Sequence, residues 1–215
     1  MRNGILRLPI LLAALMAAAA IIAGCGSSTS SPSAANSADR AFVQQMIPHH
    51  MMAVQMAQTA GQQGGHPQIK TLAASIISDQ QVEIAQMTPI AQKLGVKPDA
   101  MPIGGQMSSG MMTDANTLGL SMNQMGMSMN MTSLGSAKPF DRAFIDMMIP
   151  HHQGAIRMAQ AELAKGNNPK LRALARRIIT AQDREIGEMN QWRAKWYGVA
   201  SPAGGIPQAA ASSRR

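Results

Sequence analysis

Asp39-Arg40-Ala41-Phe42-Val43-Gln44-Gln45-Met46-Ile47-Pro48-His49-His50 returns, 102 positions on, as Asp141-Arg142-Ala143-Phe144-Ile145-Asp146-Met147-Met148-Ile149-Pro150-His151-His152. The two copies hold four of the chain's five histidines. The match runs on without a gap: Met56-Ala57-Gln58 answers to Met158-Ala159-Gln160, Pro67 to Pro169, and Ile76-Ile77 to Ile178-Ile179. Further on, Gln80-x-x-Glu83-Ile84-x-x-Met87 matches Gln182-x-x-Glu185-Ile186-x-x-Met189. One structural unit is used twice, and the unit carries the unusual residues.

Successive helical residues turn by about 100°, which puts Val43, Met46, Ile47, Ala53, Val54, Met56 and Ala57 on one half of a helix together with His49 and His50. Met51 and Met52 fall mostly outside that stripe, so they are weaker site candidates than their position beside the histidines suggests. The same construction over Ile69 to Met87 aligns Ile69, Leu72, Ala73, Ile76, Ile77, Ile84 and Met87, with Gln80 and Glu83 on the stripe as well. Between them, Gly61 to Pro67 supplies a helix stop and a restart with proline near the first turn. The predicted unit is a helical hairpin over 39–89, repeated over 139–197. A lone hairpin of about 50 residues buries too little surface to be secure, so the pair predicts an all-α four-helix bundle built from two repeated helical hairpins.

Antiparallel pairing about that loop sets His50 opposite Ile76 to Gln80 and brings Glu83 within about a turn of the histidines. Met87 then lies about 14 Å of axial rise from His49, which makes Met87 and Met189 core residues. Pro48 and Pro150 admit two readings: a kink inside a continuous helix, or the first position of a second one.

Met46 precedes His49 and His50 by three and four residues, as Met148 precedes His151 and His152, so thioether and imidazole share neighbouring turns. Thioether is a soft ligand suited to Cu(I) and imidazole also accepts Cu(II), so this thiolate-free set points to copper ahead of zinc or iron. The bland alternative is a packed histidine pair with gap-filling methionines. Glu83 and Glu185, with Gln80 and Gln182, are candidates to orient the imidazoles by hydrogen bonds rather than to bind metal directly.

Residues 90–138 form a long connector, nine of whose residues between 101 and 131 are methionine. Met111, Met112, Met122, Met125, Met127, Met129 and Met131 lie amid Gly, Ser, Asn and Thr without an apolar stripe, so they are expected exposed and mobile, as low-affinity Cu(I) collectors. Their alternative is an oxidation-tolerant low-complexity linker.

Residues 1–24 combine Arg2 and Arg7 with an apolar run too short to span a membrane, the pattern of an export signal. Ile22-Ala23-Gly24-Cys25 resembles a lipobox, which implies cleavage before Cys25 and its acylation. The chain is then a membrane-anchored envelope lipoprotein with no free thiol, held by a flexible tether over 25–38 and ending in a disordered tail over 198–215. Without Arg2 and Arg7 the charge is 17 basic against 11 acidic side chains. With only six aromatics in an exported chain, that excess fits a solvated face near an anionic surface and excludes nucleic acid as a partner.

The quoted motifs resemble the bacterial family known as domain of unknown function 305, over nearly all of Asp39 to Tyr197. The resemblance implies a ferritin-like four-helix bundle and an exported copper-binding protein associated with copper resistance. Its ligands carry over to Met46, His49, His50, Met148, His151 and His152, and not to the Met122 to Met131 run, which looks like an expansion of the usual linker. The expected function is copper binding for buffering, transfer or resistance, without substrate turnover and with an unspecified delivery partner. A ferritin-like metal oxidase is disfavoured, because each hairpin offers one inward glutamate and no Glu-x-x-His spacing. A metal-free scaffold lipoprotein is the remaining alternative.

Overall fold

Asn36 and Asp39 start the first helix with a reciprocal cap: the Asn36 side chain accepts the Asp39 N–H, and the Asp39 carboxylate accepts the Asn36 N–H at 2.6 Å. From that cap α1 runs Ser37–Gln63 and α2 Pro67–Lys93. These belong to a computed structural model that describes residues 35–98, 108–129 and 131–208, all within one unit. A short α3, Ser109–Leu118, and a 3₁₀ turn, Met131–Ser136, precede α4, Phe140–Lys165, and α5, Pro169–Tyr197. The class is all-α, two repeated hairpins. Pro67 and Pro169 each open the second helix of a hairpin, where a missing N–H leaves nothing unsatisfied.

The export signal, Cys25 and the tether up to residue 34 lie outside the described residues. No helix among the described residues is long and apolar enough to cross a membrane.

Pro48 and Pro150 sit inside uninterrupted α1 and α4, so the second-helix reading is wrong for both. Each removes the bond its own N–H would have made to the carbonyl four residues earlier, one turn before the histidines. The long burial of both helices outweighs that loss.

The two repeats meet along α1 and α4, which run antiparallel. Phe42, Val43, Met46 and Ile47 share one buried cluster with Met158, Leu171, Leu174 and Ile178 of the other repeat. Phe144, Ile145, Met148 and Ile149 share the second with Met56, Ile69, Leu72 and Ile76. Met87 and Met189 are fully buried in these clusters, as the hairpin levels require.

A second device ties the halves together at their ends. The Asp39 carboxylate accepts N–H bonds from Asn168 at 2.8 Å and Asn167 at 3.1 Å, in the loop before α5. Asp141 does the same for the first repeat, accepting from Gly65 at 2.9 Å and His66 at 2.8 Å, and pairing with His66 Nδ1 at 2.6 Å. Each repeat's leading aspartate therefore holds the other repeat's hairpin loop.

Glu162 lies fully buried against Asp39. As a carboxylate it has no donor, whereas as a neutral acid it can donate to Asp39. Burial first, then the Asp39 carboxylate, push its pKa up to about 8, with Arg172 opposing. The folded state thus keeps a proton that the unfolded chain releases near pH 4.5. Stability is expected to fall as pH rises from about 4.5 to about 8, by at most about 1.4 kcal/mol per pH unit. Glu162→Gln should flatten that slope in urea denaturation at pH 5, 6.5 and 8; an unchanged slope would show that the proton is not shared there.

Two expectations about the connecting segments are corrected. The connector over 90–138 is not exposed throughout: α2 continues to Lys93, α3 lies along α1, and Met111, Met125 and Met127 are fully buried. Met122, Met129 and Met131 are half-buried, and Met112 alone of the seven candidates is exposed, at 58 %. The tail also packs over its described part, 198–208, where Gln153 donates to the Ala203 and Gly205 carbonyls and Gln160 to that of Pro207. Periodicity misses both segments because their contacts are made one turn at a time.

Candidate metal centre

The repeated helices bring all four histidines of the duplicated motif together where α1 crosses α4. His49 of one repeat stacks on His151 of the other, ring centroids 3.6 Å apart and planes 27° apart. His50 and His152 flank them at 6.2 and 6.4 Å from their own neighbours. All four side chains are fully buried. The doubled motif therefore builds one shared cluster, and this follows from the antiparallel crossing of α1 and α4 about the repeat axis.

The outer pair is anchored. His50 Nε2 lies 2.7 Å from Glu83 Oε2, and His152 Nε2 lies 2.7 Å from Glu185 Oε2. A neutral imidazole that donates Nε2–H to the carboxylate keeps its Nδ1 lone pair for another partner. In both rings Nδ1 has none. Glu83 and Glu185, expected to orient the imidazoles, each contact one ring. Gln80 and Gln182 are buried on the same faces, and neither Gln182 side-chain atom finds a partner.

The inner pair is unanchored. Both nitrogens of His49 and both of His151 lack a hydrogen-bond partner of good geometry, although peptide groups of His151 and Met125 approach the His49 ring and that of His49 approaches the His151 ring. Burial, reinforced by the neighbouring histidines, holds both rings well below the usual imidazole pKa. They are neutral, and their lone pairs are available. Six buried ring nitrogens without partners is far more than a packed core tolerates, since each unpartnered polar group costs about 1–3 kcal/mol.

Met46 and Met148 are fully buried on the faces that carry the histidines. Met51 is 45 % exposed, in line with its place off the stripe. Met52 departs from expectation: it is buried, because α3 and the 121–127 turn give α1 a second packed face. Among the described residues no three His, Cys, Asp or Glu side chains converge on one point as a ready-made cage. Imidazole and thioether donors without thiolate are of the kind that suits a soft, low-coordinate ion.

Sequence reasoning missed the loop-holding roles of Asp39 and Asp141. Their signal was present, since both open the duplicated motif. It also missed Glu162, whose counterpart in the first repeat is Ala60 and which the duplication could not reveal.

Solved structures resemble this fold. CopM in its Cu(I)-bound form is 35 % identical, with a TM-score of 0.60 over 74 % of this chain and 98 % of that one. CopM in its Cu(II)-bound form is 38 % identical, with a TM-score of 0.60 over 74 % and 97 %. A DUF305 fragment from Deinococcus radiodurans is 27 % identical, with a TM-score of 0.60 over 75 % and 98 %. A curated relative, uncharacterized protein L153 of Acanthamoeba polyphaga mimivirus, is 40 % identical over 50 residues, so this chain spans about a third of that protein's length. The model of the domain of unknown function DUF305 matches residues 39–204, and the chain belongs to that family.

Proposed function

We propose that this chain is an exported, lipid-anchored protein that binds copper at the His49, His50, His151, His152 cluster with Met46 and Met148. It holds the ion for buffering, transfer or resistance and turns over no substrate. Copper is the cargo. The observation that carries this reading is the stacked His49–His151 pair, whose four buried nitrogens have no partner. A core without a ligand to bind gains nothing from leaving them so. The likeness to a protein solved with Cu(I) and with Cu(II) supports copper as the ion, and buried thioethers beside imidazoles suit Cu(I) in particular.

Competitive titration with Cu(I) and Cu(II) chelators tests it. The wild type is expected to bind, and a variant with all four histidines changed to alanine to lose at least about a hundredfold in Cu(I) affinity. Equal affinity in the two proteins would place copper elsewhere. Oxygen uptake by the copper-loaded protein would replace storage with oxidase chemistry.

A further inference from the structure

The histidine centre is sealed from water although its ion must enter and leave. Helices α1 and α4 form its walls, and the outer histidines are tied to Glu83 on α2 and Glu185 on α5. The Met125 peptide approaches the His49 ring from outside these four helices. It belongs to the 121–127 turn.

Two glycines seat that turn. A Cβ on Gly126, where φ is +69°, would stand 3.0 Å from the Pro150 carbonyl oxygen and from His151 Cα. A Cβ on Gly154 would stand 2.1 Å from the Met125 carbonyl oxygen. Gly154 accepts no side chain unless the turn moves off α4, and at Gly126 the left-handed φ strains any side chain that is also pressed against α4. Gly154 corresponds to Met52 in the first repeat, so the duplication is broken at the place where the turn needs room. The turn's own hydrogen bonds are local: Met125 N–H to Ser121 at 3.0 Å, Gly126 to Asn123 at 3.0 Å and Met127 to Met122 at 3.1 Å. Arg157 adds a bond across to the Gln124 carbonyl at 3.3 Å. A segment closed on itself in this way can lift without unravelling a helix.

Its side chains have the chemistry of the centre. Met125 and Met127 are fully buried in the cluster that holds Met46, Ile47 and Met52, and Met122 and Met129, half-buried, flank them toward solvent. We propose that the 121–127 turn is a removable cover over the histidine centre, and that Met125 and Met127 add thioethers to the donor set of the copper ion beneath it. This rests on the copper reading above and assigns the turn a task the duplicated motif does not perform. Soft neutral donors under a closed cover hold Cu(I) away from water and oxygen, and lifting the cover releases ion and donors together.

The test uses the full chain loaded with Cu(I) and a chromogenic Cu(I) chelator. Gly154→Ala, which pushes the turn off α4, is expected to release copper about tenfold faster or more, with every histidine and methionine still present. Met125→Leu/Met127→Leu preserves apolar volume, so it should keep the helical content and thermal unfolding of the wild type. It should nevertheless lower Cu(I) affinity about tenfold and reduce copper–sulfur scattering in X-ray absorption. Wild-type release from Gly154→Ala, or wild-type affinity and scattering from the leucine pair, overturns the proposal. If the four-histidine variant loses copper while the turn variants behave as wild type, only the cover fails; a wild type that binds no copper removes both readings.

Discussion

Replacing His49 and His151 together by leucine is expected to stabilise the metal-free protein by about 2–4 kcal/mol and, on the proposed function, to remove most of its copper affinity. The two rings bring four buried nitrogens with no partner, and leucine brings none. Its volume is close to that of histidine, so the gain is not consumed by overpacking. The variant should also lose a limb of the pH profile. Both rings have folded pKa values below the unfolded value of 6.5. Below pH 6.5 the unfolded chain therefore binds protons that the folded one refuses, and the wild type loses up to about 1.4 kcal/mol per ring for each pH unit. Urea denaturation of both apo proteins at pH 5 and pH 7 reads the difference. A variant less stable than the wild type at both would mean that the rings stabilise the fold by packing alone.

Asp141→Ala should destabilise the fold by about 1–3 kcal/mol, because it takes the acceptor from two backbone N–H groups of the part-exposed Gly65–His66 loop and breaks a close pair with His66, whose side chain is 40 % exposed. Asp39→Ala should have a comparable cost at pH 5. At pH 8 the cost should shrink, since removing Asp39 also relieves the repulsion that keeps Glu162 protonated. Arg142→Ala beside Asp141 is the control: its side chain is exposed and its 3.7 Å pair with Asp146 is long, so a change within about 0.5 kcal/mol is expected. If Asp141→Ala behaves like that control in thermal and urea unfolding, the halves are held by the apolar seam alone.

Much of the site is legible because the chain writes it twice. A doubled apolar stripe with histidines inside it implies two hairpins that face each other, and the levels of an antiparallel hairpin are enough to bring Glu83 near His50. The same levels keep Met87 and Met189 in the core. What escapes is whatever breaks the duplication or depends on contact between copies. Gly154 in place of Met52 and Glu162 in place of Ala60 leave no periodic trace. The methionines of the connector read as exposed because no stripe accompanies them, yet Met111, Met125 and Met127 are buried by a short helix and a glycine-seated turn. Periodicity detects long faces, and these contacts are single residues.

The sequence by itself determined the all-α class, the twofold use of one hairpin and the residue types of the candidate site, because helical period and side-chain chemistry are local properties. Only the tertiary structure decided that the two motifs make one centre, with His49 on His151. That is a matter of where α1 crosses α4, fixed by the apolar seam and by two aspartates that reach into each other's loops.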